Sequence, residues 1–235
     1  MAVKREIVAI VQARMGSSRL PGKVMLPLST EKTALECMLD RSAQSSRIDR
    51  VVVATTDLPA DDTIAEFLRS KNMPFIRGSE QDVLSRYWLA AQTFAKPGDT
   101  IVRLTSDCPV IDPKVIDLVI DAYREGGFDF VSNSLEPYSF PDGMDVEVFS
   151  YELLERAALE ATLPSHREHV TFYFYQTSGL FSVRYVKSDT DLTRYRMTLD
   201  YPADYEILKS IYSHFAPRKD FSLHEIIQYL DEHPE

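Results

Sequence analysis

Within twelve residues the chain sets two arginines, a lysine, two serine hydroxyls and two glycines: Gln12-Ala13-Arg14-Met15-Gly16-Ser17-Ser18-Arg19-Leu20-Pro21-Gly22-Lys23. Glycine lets backbone amides come close to an anion, and Arg14, Arg19 and Lys23 can neutralise the charges of a triphosphate. Five residues separate Gly16 from Gly22, one too many for a Walker loop, and Val24 stands where that loop needs Ser or Thr. The G-x-G-x-x-G of a dinucleotide site is missing too. Read by itself, the segment is therefore an anion-binding loop of another type, with a solvated basic loop as the plainer reading.

Two aspartates stand in similar surroundings, Asp107 in Leu104-Thr105-Ser106-Asp107-Cys108-Pro109 and Asp200 in Thr198-Leu199-Asp200-Tyr201-Pro202. Magnesium commonly takes one or two protein carboxylates and completes its octahedron with water and phosphate oxygens, so the pair suits Mg2+. Each alone could equally be a helix cap. Between these aspartates, Asp142-Gly143-Met144-Asp145-Val146-Glu147 and Ser165-His166-Arg167-Glu168-His169 offer Asp145, Glu147, Arg167 and His169 as substrate contacts. His166 and His169 are spaced like a metal pair, but no third ligand follows at a characteristic interval. No residue stands out as a general base.

These residues need a scaffold that gathers them. Glu6 to Val11, Val51 to Ala54 and Ile101 to Leu104 are continuous apolar runs typical of strands buried on both faces. Helical stretches from Ala34 to Ser42 and from Gln81 to Phe94 alternate with them. Such βαβα order predicts a mostly parallel sheet with right-handed crossovers, and places both the basic loop and Asp107 at the carboxyl ends of strands, where ligands bind. Asp112-Pro113 predicts a capped helix to about Arg124, followed by a strand over Phe128 to Ser132. The segment from Glu136 to Gly143 reads as a long irregular loop of functional or interface character. Ser165 and Glu168 have capping-box spacing, which predicts a helix over His169 to Tyr175. Strands are expected over Phe181 to Val186 and Tyr195 to Leu199, and closing helices over Pro202 to Phe215 and Ser222 to Leu230.

The chain has 235 residues, enough for one α/β domain with its own core. A formal net charge of -10 argues against nucleic acid as a partner, since phosphate-backbone affinity needs a cationic surface. No apolar run is long enough to span a bilayer, and Met1-Ala2-Val3-Lys4-Arg5 leads straight into a strand, so no membrane association and a cytoplasmic location are expected. Cys37 and Cys108, far apart, read as reduced core thiols.

The basic loop, taken with both aspartate segments, closely resembles the signature of the cytidylyltransferases that activate 3-deoxy-manno-octulosonate and the acylneuraminates. More closely still, it resembles their relatives in spore-coat polysaccharide biosynthesis. The likeness extends through Val53-Ala54-Thr55-Thr56-Asp57, Arg77 to Tyr87 and Arg167-Glu168-His169-Val170-Thr171, while Ser106 and Phe172 replace an expected glycine and proline. The resemblance implies a single Rossmann-like nucleotidyltransferase domain over 1–235, in which 134–180 is an acceptor-binding and dimerisation extension. It further implies nucleotide contacts from Ala13, Arg14, Gly16, Ser17, Ser18, Arg19, Lys23, Asp57 and Thr105. Arg14, Arg19 and Lys23 would act in catalysis, Asp107 and Asp200 would hold Mg2+, and the protein would be a homodimer. The expected reaction is transfer of a nucleoside monophosphate, foremost CMP from CTP, to an acidic or amino sugar with release of pyrophosphate. Three other readings stay open: a metal-dependent glycosyltransferase, a guanylyl- or uridylyltransferase acting on a sugar 1-phosphate, and a non-catalytic nucleotide-binding module.

Overall fold

Three apolar runs form the centre of the sheet because both of their faces are covered. In the computed structural model, which describes residues 4–29 and 31–234, β1 (Ile7–Gln12) is flanked on either side by the parallel strands β2 (Arg50–Thr56) and β4 (Thr100–Thr105). The reading of the first three residues as a non-signal terminus lies outside the described residues. Beyond β2 comes β3 (Phe75–Gly78); beyond β4 come β6 (Glu147–Ser150), β5 (Phe130–Ser132) and β7 (Val183–Tyr185). The seven strands run in the order β3-β2-β1-β4-β6-β5-β7, parallel except for β6.

Side chains alternate across the strands, and the core divides accordingly. Ile7, Ala9 and Val11 face one layer, with α1 (Ala34–Ser42), α2 (Asp62–Ser70), α4 (Pro113–Arg124), α8 (Pro202–Phe215) and α9 (Leu223–Glu232). Val8 and Ile10 face the other, with α3 (Val83–Phe94), α5 (Tyr151–Glu160) and α7 (Phe172–Gln176). There Phe130, Phe149 and Phe174 meet at centroid separations of 5.1 to 6.3 Å, in the tilted contacts that aromatic quadrupoles prefer.

Local chemistry sets the helix starts. Thr33, Asp82, Asp112 and Ser150 each accept a backbone N–H at the head of the helix that follows. Asp112 also accepts from Leu223 N at 2.6 Å, which ties α9 to the start of α4.

Two expectations are corrected. Tyr195 to Leu199 is not a strand: it makes one isolated bridge, Asp142 to Arg196, and its amides donate to loop carbonyls, Met197 to Asp142 and Leu199 to Asp107. Gly143, with φ of +102°, permits this contact, since a Cβ there would lie 2.5 Å from the Met197 carbonyl carbon. The helix expected over His169 to Tyr175 is broken as well. Instead α6 (Pro164–His169) starts one residue earlier than Ser165, with Leu163 as its cap, and ends where Val170 turns left-handed at φ 56° and ψ -68°. Among the described residues, no helix is long and apolar enough to cross a membrane.

Candidate active site

The chain leaves β1 at the carboxyl edge of the sheet and folds into the basic loop, whose shape depends on a distant carboxylate. Met15 N donates to Asp61 Oδ1 at 2.6 Å, and the Thr56 hydroxyl donates to the other oxygen. Asp61 is only 1% exposed. Gly22, at φ 70°, closes the loop by donating to Met15 O at 3.1 Å, and Leu20 N donates to Ser17 Oγ. The buried Val24 then roots the loop in the core, an apolar anchor where a Walker loop has a hydroxyl.

At the end of this loop Lys23 Nζ lies 2.8 Å from Asp107 Oδ2 and 2.9 Å from Asp200 Oδ1. Arg19 reaches Asp200 at 2.8 Å and stacks over the Tyr201 ring. Arg196 grips Asp200 from behind at 2.8 Å while also pairing with Asp204 at 3.2 Å and with Asp142. Asp204 in turn accepts the backbone N–H of Asp200 and of Tyr201, each at 2.8 Å. Burial opposes the charge on Lys23, yet Asp107 and Asp200 outweigh it and hold the ammonium above its ordinary pKa. Burial likewise opposes the Asp200 carboxylate, and Lys23 and then Arg19 overcome it, holding that group below the usual range.

The cleft over this cluster encloses about 870 Å³, within the range of small-ligand sites and large enough for a nucleotide beside a second substrate. Ala13, Arg14, Gly16, Ser17, Ser18, Arg19, Lys23, Thr105, Asp107 and Asp200 all line it, as do Arg167 and His169 from α6. Asp57 does not; its amide continues the β2–β3 ladder by donating to Gly78 O. Arg14 faces Glu80 at 3.2 Å and is half exposed. Arg167 is engaged with Asp82 at 2.5 Å and with Ala158 O at 2.9 Å, and so fastens α6 to the head of α3. His169 stacks on Phe172 at 4.2 Å, the residue that replaces the expected proline, whereas His166 is buried against Tyr173.

Asp145 and Glu147 lie outside the cleft lining. Glu147 is 5% exposed, pairs with Arg103 and accepts from Thr171 Oγ1 at 3.0 Å. Burial, and then Asp142, push Asp145 up to about 7. Both cysteines are buried and free, and burial pushes the Cys37 thiol up to about 11, as an inert core thiol requires.

Among the described residues no group of three or more His, Cys, Asp or Glu converges as a ligand cage. Two carboxylates aimed at one cationic centre do suit a divalent ion that draws its remaining ligands from water and phosphate. Sequence reasoning missed Asp61, Arg196, Arg103 and Gln12. Arg103 lines the cleft, and its guanidinium donates to Gln12 Oε1 at 3.3 Å. Arg103 and Arg196 carried a faint signal, being charged residues within apolar runs; Asp61 carried none.

A family pattern described as cytidylyltransferase matches residues 8–228. The spore coat polysaccharide biosynthesis protein SpsF of Bacillus subtilis is 34% identical, covering 98% of this chain and 96% of its own. A cytidylyltransferase structure from Leptospira borgpetersenii superposes with a TM-score of 0.90 at 38% identity, covering 98% of this chain and 96% of that one. At the level of fold alone, CMP:2-keto-3-deoxy-manno-octonic acid synthetase complexed with CTP superposes with a TM-score of 0.64 at 17% identity, over 89% of this chain and 99% of that one. Rossmann-like topology, a basic loop at the end of β1 and a match over nearly the whole length agree: this chain belongs to the cytidylyltransferase family of nucleotidyltransferases.

Proposed function

We propose that the protein transfers CMP from CTP to an acidic or amino sugar, releasing pyrophosphate, with Mg2+ held by Asp107 and Asp200. The observation that carries this reading is the meeting of Lys23, Arg19, Asp107 and Asp200 at the mouth of the basic loop. Arg14, Arg19 and Lys23 bind the triphosphate, and the loop amides and Ser17 and Ser18 hydroxyls fill in around it. The acceptor lies toward α6, beside His169, which lines the same cleft. When bound, the divalent ion supplies charge neutralisation on the phosphates. Chain residues do the rest: they hold the α-phosphorus in line with the sugar oxygen and stabilise the charge that builds on oxygens already surrounded by cations.

Because both carboxylates face cations that a triphosphate would engage, the reading is specific about product. Each nucleoside triphosphate is incubated with a panel of acidic and amino sugars in Mg2+, and pyrophosphate and nucleotide-sugar are followed together. CTP-dependent pyrophosphate release with formation of a CMP-sugar is the expected result. In a parallel incubation with nucleotide-sugar donors in place of the triphosphates, release of free nucleoside diphosphate would instead mark a glycosyltransferase.

A further inference from the structure

The carboxylate pair is already occupied by a cation that belongs to the chain. Lys23 Nζ bonds both Asp107 and Asp200, at 2.8 and 2.9 Å, from a side chain only 12% exposed. Asp200 also faces Arg19 and Arg196, each at 2.8 Å. Arg196 is held in place by Asp142 and Asp204, but among the described residues the Lys23 ammonium has no acceptor other than this pair, and the Arg19 side chain is half exposed. A divalent ion entering between the carboxylates would meet a fixed ammonium within contact range, with like charges at short distance.

Resting on the reading above, we infer that Lys23 is the resident counter-ion of Asp107 and Asp200, and that it yields the pair to a divalent cation only when a polyphosphate draws its ammonium into the basic loop. Lys23 sits on the loop itself, so a small side-chain swing exchanges carboxylate oxygens for phosphate oxygens. Nothing covalent changes. The vacated carboxylates then carry the charge that favours a divalent ion. Metal and nucleotide consequently bind as a coupled pair, and linkage requires the coupling to be equal in both directions. Without nucleotide the pair stays neutralised, and metal alone binds poorly.

The test uses Mn2+ as the probe, its free concentration read by electron paramagnetic resonance during titration of the whole chain without nucleotide. Lys23→Gln is expected to bind Mn2+ about 10-fold or more tighter than wild type, in keeping with ordinary coupling factors. Lys23→Arg, which keeps the charge, is expected to behave like wild type, and Lys23→Gln/Asp107→Asn to lose the gain. Equal Mn2+ affinity in wild type and Lys23→Gln, with Asp107→Asn still weakening both, would overturn the counter-ion role while leaving the carboxylate site standing. Indifference of every variant to Asp107→Asn would sink the metal site and this inference together. A wild-type measurement guards against misfolding of Lys23→Gln: water-proton relaxation of Mn2+ should be enhanced by protein plus CTP, above the Mn2+–CTP baseline, and hardly at all by protein alone. Strong enhancement by wild-type protein without CTP would overturn the inference.

Discussion

Asp200 is the most heavily paired side chain of the cleft, facing Lys23, Arg19 and Arg196, while its backbone amide is held by Asp204. An amide in its place keeps the shape but loses the charge. Asp107→Asn and Asp200→Asn are therefore expected to abolish pyrophosphate release while the chain still folds and unfolds cooperatively. Near-normal turnover of Asp200→Asn would reduce that residue to a structural counter-ion of Lys23, Arg19 and Arg196. Lys23→Ala and Arg14→Ala should raise KM for the nucleotide and lower kcat, each losing about 1.5–3 kcal/mol of charge-assisted bonding; wild-type kinetics in both would defeat the phosphate-loop assignment. Asp145 titrates in the opposite sense to Asp200. Its folded value near 7 lies above the ordinary 3.8, so between those values the folded chain holds a proton that the unfolded chain has released. Stability then falls as pH rises through this window, and the full cost is present above it. In metal-free buffer the stability of Asp145→Asn relative to wild type should improve between pH 5 and pH 8, by at least about 1.4 kcal/mol. Urea titrations at the two pH values, giving an unchanged difference, would contradict this.

Between elements, the decisive contact is the pair of Arg103 on β4 with Glu147 on β6, extended to Thr171 after the left-handed Val170. Thr171 N closes back on His169 O at 2.5 Å, a γ-turn that a β-branched residue adopts only under strain. Glu147 therefore helps fix the turn that presents His169 to the cleft. Glu147→Ala leaves the Arg103 charge, at the cleft wall and only partly exposed, without its buried carboxylate partner, and is expected to cost up to about 3–5 kcal/mol in urea unfolding. A loss below 1 kcal/mol would place the pair among those weakly coupled to the fold. The sheet centre was legible because β1, β2 and β4 are apolar on both faces. β6 was not: Asp145 and Glu147 gave its residues the look of a polar loop, whereas Met144, Val146, Val148 and Phe149 are fully buried. α2 and α5 carry amphipathic spacing, the second with Ser150 as its cap, so their signal was present but went unread, whereas β3 has only four residues to show one. Tyr195 to Leu199 misled for a physical reason, since its apolar residues are buried in the core as a strand's would be while its backbone bonds to loop carbonyls and not to a neighbouring strand. The basic loop and both aspartates were legible because their chemistry is local; Asp61 was not, because its role depends on which amide the fold brings to it.

For the whole molecule, net charge and surface point in different directions. The chain carries -10 overall, yet Tyr138, Leu159, Leu163, Leu180 and Tyr185 are 39 to 77% exposed across the expected 134–180 extension and just past its end. Exposed apolar residues in such density usually meet a partner, and we expect a homodimer through this face. Sedimentation should give a dimer at micromolar concentration, and Leu159→Glu with Leu163→Glu should shift it toward monomer while the isolated chain keeps its melting cooperativity. A wild-type monomer at those concentrations would end the expectation.

Lys23 and Asp200, bonded in the finished cleft, are 177 residues apart along the chain. Synthesis runs from the amino end, so a nascent chain carries its anion-binding loop and Asp107 long before Asp200 and Arg196 exist. Until then the Lys23 ammonium lacks one of the two carboxylates it bonds in the finished fold. A chain cut short before Arg196 is therefore expected to lack the second carboxylate of the proposed metal site together with the arginine that grips it.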